Sequence, residues 1–171
     1  MKHLETADAI ALRDISALAL QLVDNRYGQS PDSSPKPADF KSYHNGLHTR
    51  NVMQDFSVLA TAHGLSPLLH AVGSAASAAH DLDQNLGSGS NESASGTWLQ
   101  TQIERRTKLE HRYAQMGMLA VLGTEPVMDG FAMTGQKASE QDYRSADEEL
   151  VAKLVDSCFV INDRCFKASE N

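Results

Sequence analysis

Apolar residues recur at spacings of three and four through almost the whole chain, and no stretch offers convincing alternation with period two. That pattern commits the fold to helices packed on one another. Thr6 can cap a first helix, 6–25, on which Ile10, Ile15, Leu18, Leu22 and Val23 form a stripe. Pro31, Pro35 and Pro37 then forbid helix across a loop at 28–39. A second helix starts near Ser42 or Tyr43, carries Val52, Phe56 and Leu59, and stops at Gly64. Ser66 and Pro67 open a third, whose Ala71, Gly73, Ser74, Ala75, Ala76, Ala78 and Ala79 let neighbouring backbones come close, as suits a central helix. Asn91 or Ser93 caps a fourth through Trp98, Leu99 and Ile103, and a fifth runs from about Lys108 to Leu122 and stops at Gly123. Ser145 with Glu148 makes a capping box for the last, striped by Leu150, Leu154, Cys158 and Ile161. The expected fold is all-α, a bundle of five to seven helices without internal repeat. It forms one domain over 1–171, with its functional core at 40–165.

The length of 171 residues suits one domain with a single core, and a formal charge of -7 argues against general nucleic-acid binding, which needs a basic face to replace counterions. An acidic protein that handles phosphate usually needs a metal to neutralise its substrate, so the charge sign favours a metal site over an arginine cradle. Arg105 and Arg106 read as a solvated helix face before they read as phosphate contacts. No apolar run approaches the ~20 residues of a membrane span, and the start, Met1 to Thr6, has an early acid in place of a secretory segment. The expectation is a cytoplasmic protein. Cys158 and Cys165 fall seven apart on one helical face, where they cannot easily bridge, and read as reduced thiols.

The chemistry gathers in two short runs, Tyr43 His44 Asn45 Gly46 Leu47 His48 and Ala79 His80 Asp81. Imidazole nitrogen and carboxylate oxygen together suit borderline first-row metals, and few protein ligands leave room for water. If the second helix already includes residue 44, His44 and His48 lie one above the other on one face. Adjacent residues on a regular helix point about 100° apart, so His80 and Asp81 can share an ion only near a helix end. The turn formers from Asp83 to Ser90 supply that end. Gly87 to Ser90 lacks the lysine of a phosphate loop and reads as a hinge or lid. His3, His63, His70 and His111 read as surface or packing residues.

On these residues the chain resembles the HD superfamily of metal-dependent phosphohydrolases, named for a pair such as His80 Asp81. The likeness covers roughly residues 40 to 160. It begins with the YHNxxH pattern at Tyr43, which is similar to cyclic-nucleotide phosphodiesterases, and continues through Asn91 Glu92 Ser93 Ala94 and the T-x-P turn at Thr124 to Pro126, which are similar to a bacterial branch of predicted HD phosphohydrolases. The resemblance implies a divalent metal held by His48, His80, Asp81 and a later aspartate, with nothing to choose among Mn, Mg, Fe, Ni and Zn. Asp156 is the first choice for that aspartate and Asp163 the second. Val155 stands where the family usually shows alanine, and Gln84 where the phosphodiesterases carry another histidine.

The implied activity is hydrolysis of a phosphate ester or anhydride of a nucleotide or related small metabolite, by metal-activated water. His44 would protonate the leaving oxygen. Glu92 is either a first-turn acid set against the helix dipole or a base or ligand of a second ion. Asp83 either orients water or closes an Asx turn. The alternative function is a nucleotide-binding sensor with weak or no catalysis. A di-iron oxygenase would need more histidines in the later helices than His111. Helical HD proteins often pair, so a homo-oligomer is implied without a marked face. Family members often continue with further helices, and this chain reads as either a short member or a truncated one.

Overall fold

The computed structural model describes residues 7–87, 89–124, 126–129, 132–135 and 150–158. Five helices follow in order, α1 (Ala7–Tyr27), α2 (Gly46–Ala62), α3 (Pro67–Ala79), α4 (Ser90–Arg106) and α5 (His111–Leu122), and residues 150–158 are also helical. The all-α bundle is therefore as the periodicity requires. One short hairpin departs from it: β1 (Pro126–Asp129) pairs antiparallel with β2 (Ala132–Gly135), Pro126 opposite Gly135 and Asp129 opposite Ala132. Four-residue strands are too short for alternation to stand out, so the period-two criterion missed them.

The buried stripe of α1 is Leu12, Ile15, Ser16, Ala19, Val23 and Tyr27, whereas Ile10 and Leu22 are each 40% exposed. At 100° per residue Ile10 lies roughly 160° around the helix from Leu12, so the phase is set by Leu12, Ala19 and Tyr27. The helix also runs two residues beyond Asn25, and its expected cap, Thr6, lies outside the described residues. Gly28, at φ 99°, turns the chain away, and its carbonyl accepts from Gly46 N at 2.9 Å after the proline loop. The loop is longer than expected because α2 starts at Gly46, not at Ser42 or Tyr43.

The end of α2 is a Schellman motif: Gly64 N donates to Thr61 O at 3.1 Å, Leu65 N to Ala60 O at 2.9 Å, and Gly64 has φ 67°. Ser66 Oγ then accepts from Leu69 N at 3.3 Å, so the expected Ser-Pro start of α3 is present. At α4 the cap is Gly89, which leaves Asn91 and Ser93 inside the helix. The α5 helix begins at His111, three residues later than expected, and the capping box at Ser145 and Glu148 lies outside the described residues.

Contacts run from α3 to each of α1, α2, α4 and α5, and Val72, Gly73 and Ala75 to Ala79 are buried along it. Small side chains make that central position available. A Cβ on Gly73 would run into the Phe56 ring, which is itself fully buried and cannot swing aside. Val151, Leu154, Val155 and Cys158 from the stretch 150–158 complete the same core. A methyl driven into a buried ring that cannot move falls in the upper part of the overpacking range, about 2–3 kcal/mol, of which roughly 1 is returned by the better helix propensity of alanine. Gly73→Ala should therefore be less stable by about 1–2 kcal/mol and melt roughly 2–8 °C lower. An unchanged melting temperature by circular dichroism would show that the α2–α3 contact is not close-packed.

Candidate metal centre

Asn45 explains how the first histidine run is shaped. Its Oδ1 accepts from Leu47 N at 3.0 Å and His48 N at 3.3 Å, capping α2, while its Nδ2 donates to Ser42 O at 2.9 Å and Lys41 O at 3.3 Å. His44 therefore precedes the helix and is not one turn below His48 on it. The cap turn brings the rings together instead, with centroids 5.7 Å apart, and the Tyr43 ring lies 4.9 Å from His44 and 4.4 Å from His48. Gly46 lets this turn press on α1, because a Cβ there would run into the Asp24 carboxylate. Asp24 is held in place by Arg50 Nη1 at 3.1 Å.

His80 is the C-cap of α3 and Asp81 follows it, so the pair lies at a helix end as its adjacency requires. The turn after it is clamped from α1. The fully buried Tyr27 donates its hydroxyl to Leu82 O at 3.3 Å and accepts from Gln84 N at 2.9 Å. Burial raises the phenol above its ordinary value, which keeps that donor proton in place. Arg26 Nη1 adds a bond to Leu82 O and an ion pair to Asp83, each at 3.3 Å. Neither Tyr27 nor Asn45 stood out in the sequence. The signal for Asn45 was available, an Asn-Gly at a helix start, but it competed with the attraction of an i, i+4 histidine pair.

The imidazoles and the carboxylate converge. Asp81 Oδ2 lies 3.1 Å from His44 Nδ1, 3.4 Å from His48 Nε2 and 3.2 Å from His80 Nε2. His48 Nε2 and His80 Nε2 are 3.2 Å apart. Ligand atoms about 2.1 Å from one ion stand roughly 3.0–3.4 Å apart, so His48, His80 and Asp81 already have the separations of a shared ion. The orientation of His80 agrees: its Nδ1–H donates to Ser77 O at 2.8 Å, which leaves Nε2 as the nitrogen that faces the cluster. His44, His48 and Asp81 also offer ligand atoms all within 4.8 Å of one another. The donor set fits a borderline divalent cation.

Burial pushes the Asp81 carboxyl upward, but the charges of His80 and His44 and their hydrogen bonds overcome it and hold the group well below the usual carboxylate range. Asp81 is thus an anion at any working pH. Its Oδ1 accepts from Gln84 Nε2 at 2.8 Å.

The remaining expected residues are not all gathered there. Asp83 faces Arg26, takes its backbone bond to Ser95 Oγ at 3.1 Å, and accepts from Asn85 N at 3.4 Å, the geometry of an Asx turn. Glu92 is buried and accepts from Gly89 N at 2.8 Å, an acid fixed in the first turn of α4. Asp156 makes no described bond to the cluster. Its Oδ1 is buried without a hydrogen-bond partner, and burial raises its carboxyl above the ordinary value. Asp163 and Cys165 lie outside the described residues. Arg105 and Arg106 are exposed in the last turn of α4. His63 caps α2, His70 meets Ser57 Oγ at 3.2 Å, and His111 pairs with Glu104 at 2.8 Å, all away from the centre. Cys158 is buried, which pushes its thiol up to about 12.

A carboxyl whose pKa is raised by folding gives stability below its unfolded pKa that is lost as pH rises through its folded value. Asp156→Asn should therefore raise the denaturation midpoint of the metal-stripped protein at pH 7, and the gain should shrink toward pH 4. A lowered midpoint at pH 7 would mean that the ionised Asp156 has a favourable partner.

No helix among the described residues is long and apolar enough to cross a membrane. No family model, no curated protein and no solved structure matches the chain.

Proposed function

We propose that the chain is a metal-dependent phosphohydrolase of the HD type, acting on a phosphate ester or anhydride of a nucleotide or related small metabolite. The observation that carries this reading is the buried convergence of His48 Nε2, His80 Nε2 and Asp81 Oδ2 at separations of 3.2–3.4 Å. His48, His80 and Asp81, with Asp156 as the candidate fourth ligand, would hold a divalent ion, which when bound would supply Lewis acidity toward water and a phosphoryl oxygen.

The side chains contribute the rest. Asp81 binds His44 through Nδ1, so a protonated His44 keeps its second proton on Nε2, from which it passes to the departing oxygen. His44 is suited to this because its side chain is 34% exposed while Asp81 and His48 are buried. Leu82 and Asp83, from the turn after Asp81, line a cavity of about 460 Å3 with Arg26 and Trp98, but His44, His48, His80 and Asp81 do not line it.

A second reading, a nucleotide-binding regulatory module, is favoured by the ties of Asp83 to Arg26 and of Glu92 to Gly89, which give both acids structural partners. Turnover of a phosphate-ester panel with added manganese separates the two. Protein purified without added metal should carry near-stoichiometric transition metal by elemental analysis, and His80→Ala none. His44→Ala should keep its metal and slow turnover by roughly two to four orders of magnitude. No metal in the wild type after dialysis against manganese would remove the hydrolytic reading, and full metal with full activity in His80→Ala would refute the site.

A further inference from the structure

The two oxygens of Asp81 have different surroundings. Oδ2 is the atom within 3.4 Å of His44, His48 and His80. Oδ1 accepts from Gln84 Nε2 at 2.8 Å and lies 3.2 Å from His44 Nδ1. The amide cannot be turned the other way, because an ionised carboxylate only accepts and Gln84 must present its N–H. Nor is Gln84 free to leave: its backbone N–H is bound to the buried Tyr27 hydroxyl, which also ties Leu82 and so sets the turn that returns the side chain to Asp81.

A carboxylate usually bridges two cations through both oxygens, one to each. Here Oδ1 faces the Gln84 amide N–H at 2.8 Å, which repels a cation. We propose that Gln84 is a positioning residue that assigns Asp81 Oδ2 to the metal, withholds Oδ1, and so restricts the centre to a single ion. This inference rests on the metal reading above and goes beyond it in specifying the number of ions and the residue that sets it.

The test is manganese stoichiometry and affinity of the full chain, measured by equilibrium dialysis with elemental analysis and by electron paramagnetic resonance. Wild type should saturate at one ion per chain without exchange-coupled pairs. Gln84→Ala should bind the first ion about 10–100-fold more weakly, the usual effect of removing the partner of a ligand. Gln84→Glu, which replaces the donor by an acceptor of the same shape, should take up a second ion. Circular dichroism checks that both variants are folded, and a third variant, Gln84→His, repeats the stoichiometry test if Gln84→Glu is not. Two coupled ions in the wild type, or a folded Gln84→Ala with unchanged affinity, would overturn the proposal while leaving the metal centre standing. No ion in the wild type would overturn the metal centre and this proposal together.

Discussion

An ionised carboxylate is buried at the wrong end of a helix, and much of the structure answers to that fact. Asp81 follows the C-cap of α3, where the helix dipole presents its negative end, and its side chain is 3% exposed. Both the dipole and desolvation favour removing the charge. They are outweighed by the charges and hydrogen bonds of His80 and His44; His48 crowds the same oxygen, and Gln84 donates to the other. Were one of these partners deleted, the charge would remain buried with less to offset it, so the cluster holds together as a unit.

The architecture places those partners. α3 can contact α1, α2, α4 and α5 because its buried side chains are mostly small, and at Gly73 even a methyl group would meet Phe56. α1 reaches across to the turn after Asp81 through Tyr27 and Arg26. α2 is started by Asn45 at the residue that sets both His44 and His48. Each of the three elements thus delivers a side chain or a fixed turn to one small volume, and none of His44, His48, His80 and Asp81 lies in the middle of a regular helix.

Much of this is legible in the sequence. Gly64 and the Ser66-Pro67 pair marked the α2–α3 junction because they punctuate the backbone locally, and the His80 Asp81 adjacency demanded a helix end, which it has. What escaped was set by tertiary contact or by competition between local signals. Ile10 and Leu22 look like core residues in sequence, but the faces of α1 that meet α3 and α4 leave them exposed. Asn45 lost to the apparent i, i+4 spacing of His44 and His48. Tyr27 could not be recognised as a clamp because its partners, Leu82 and Gln84, are more than fifty residues away. Glu92 and Asp83 carried equal catalytic and structural readings in sequence, and their contacts favour the structural ones.

The most direct test of the central claim is an anomalous difference map from crystals grown with manganese. The account predicts one peak bonded to His48 Nε2, His80 Nε2 and Asp81 Oδ2, with His80 Nδ1 still donating to Ser77 O. A map at saturating manganese with no peak among those atoms, and His48 still hydrogen-bonded to His80, would contradict it.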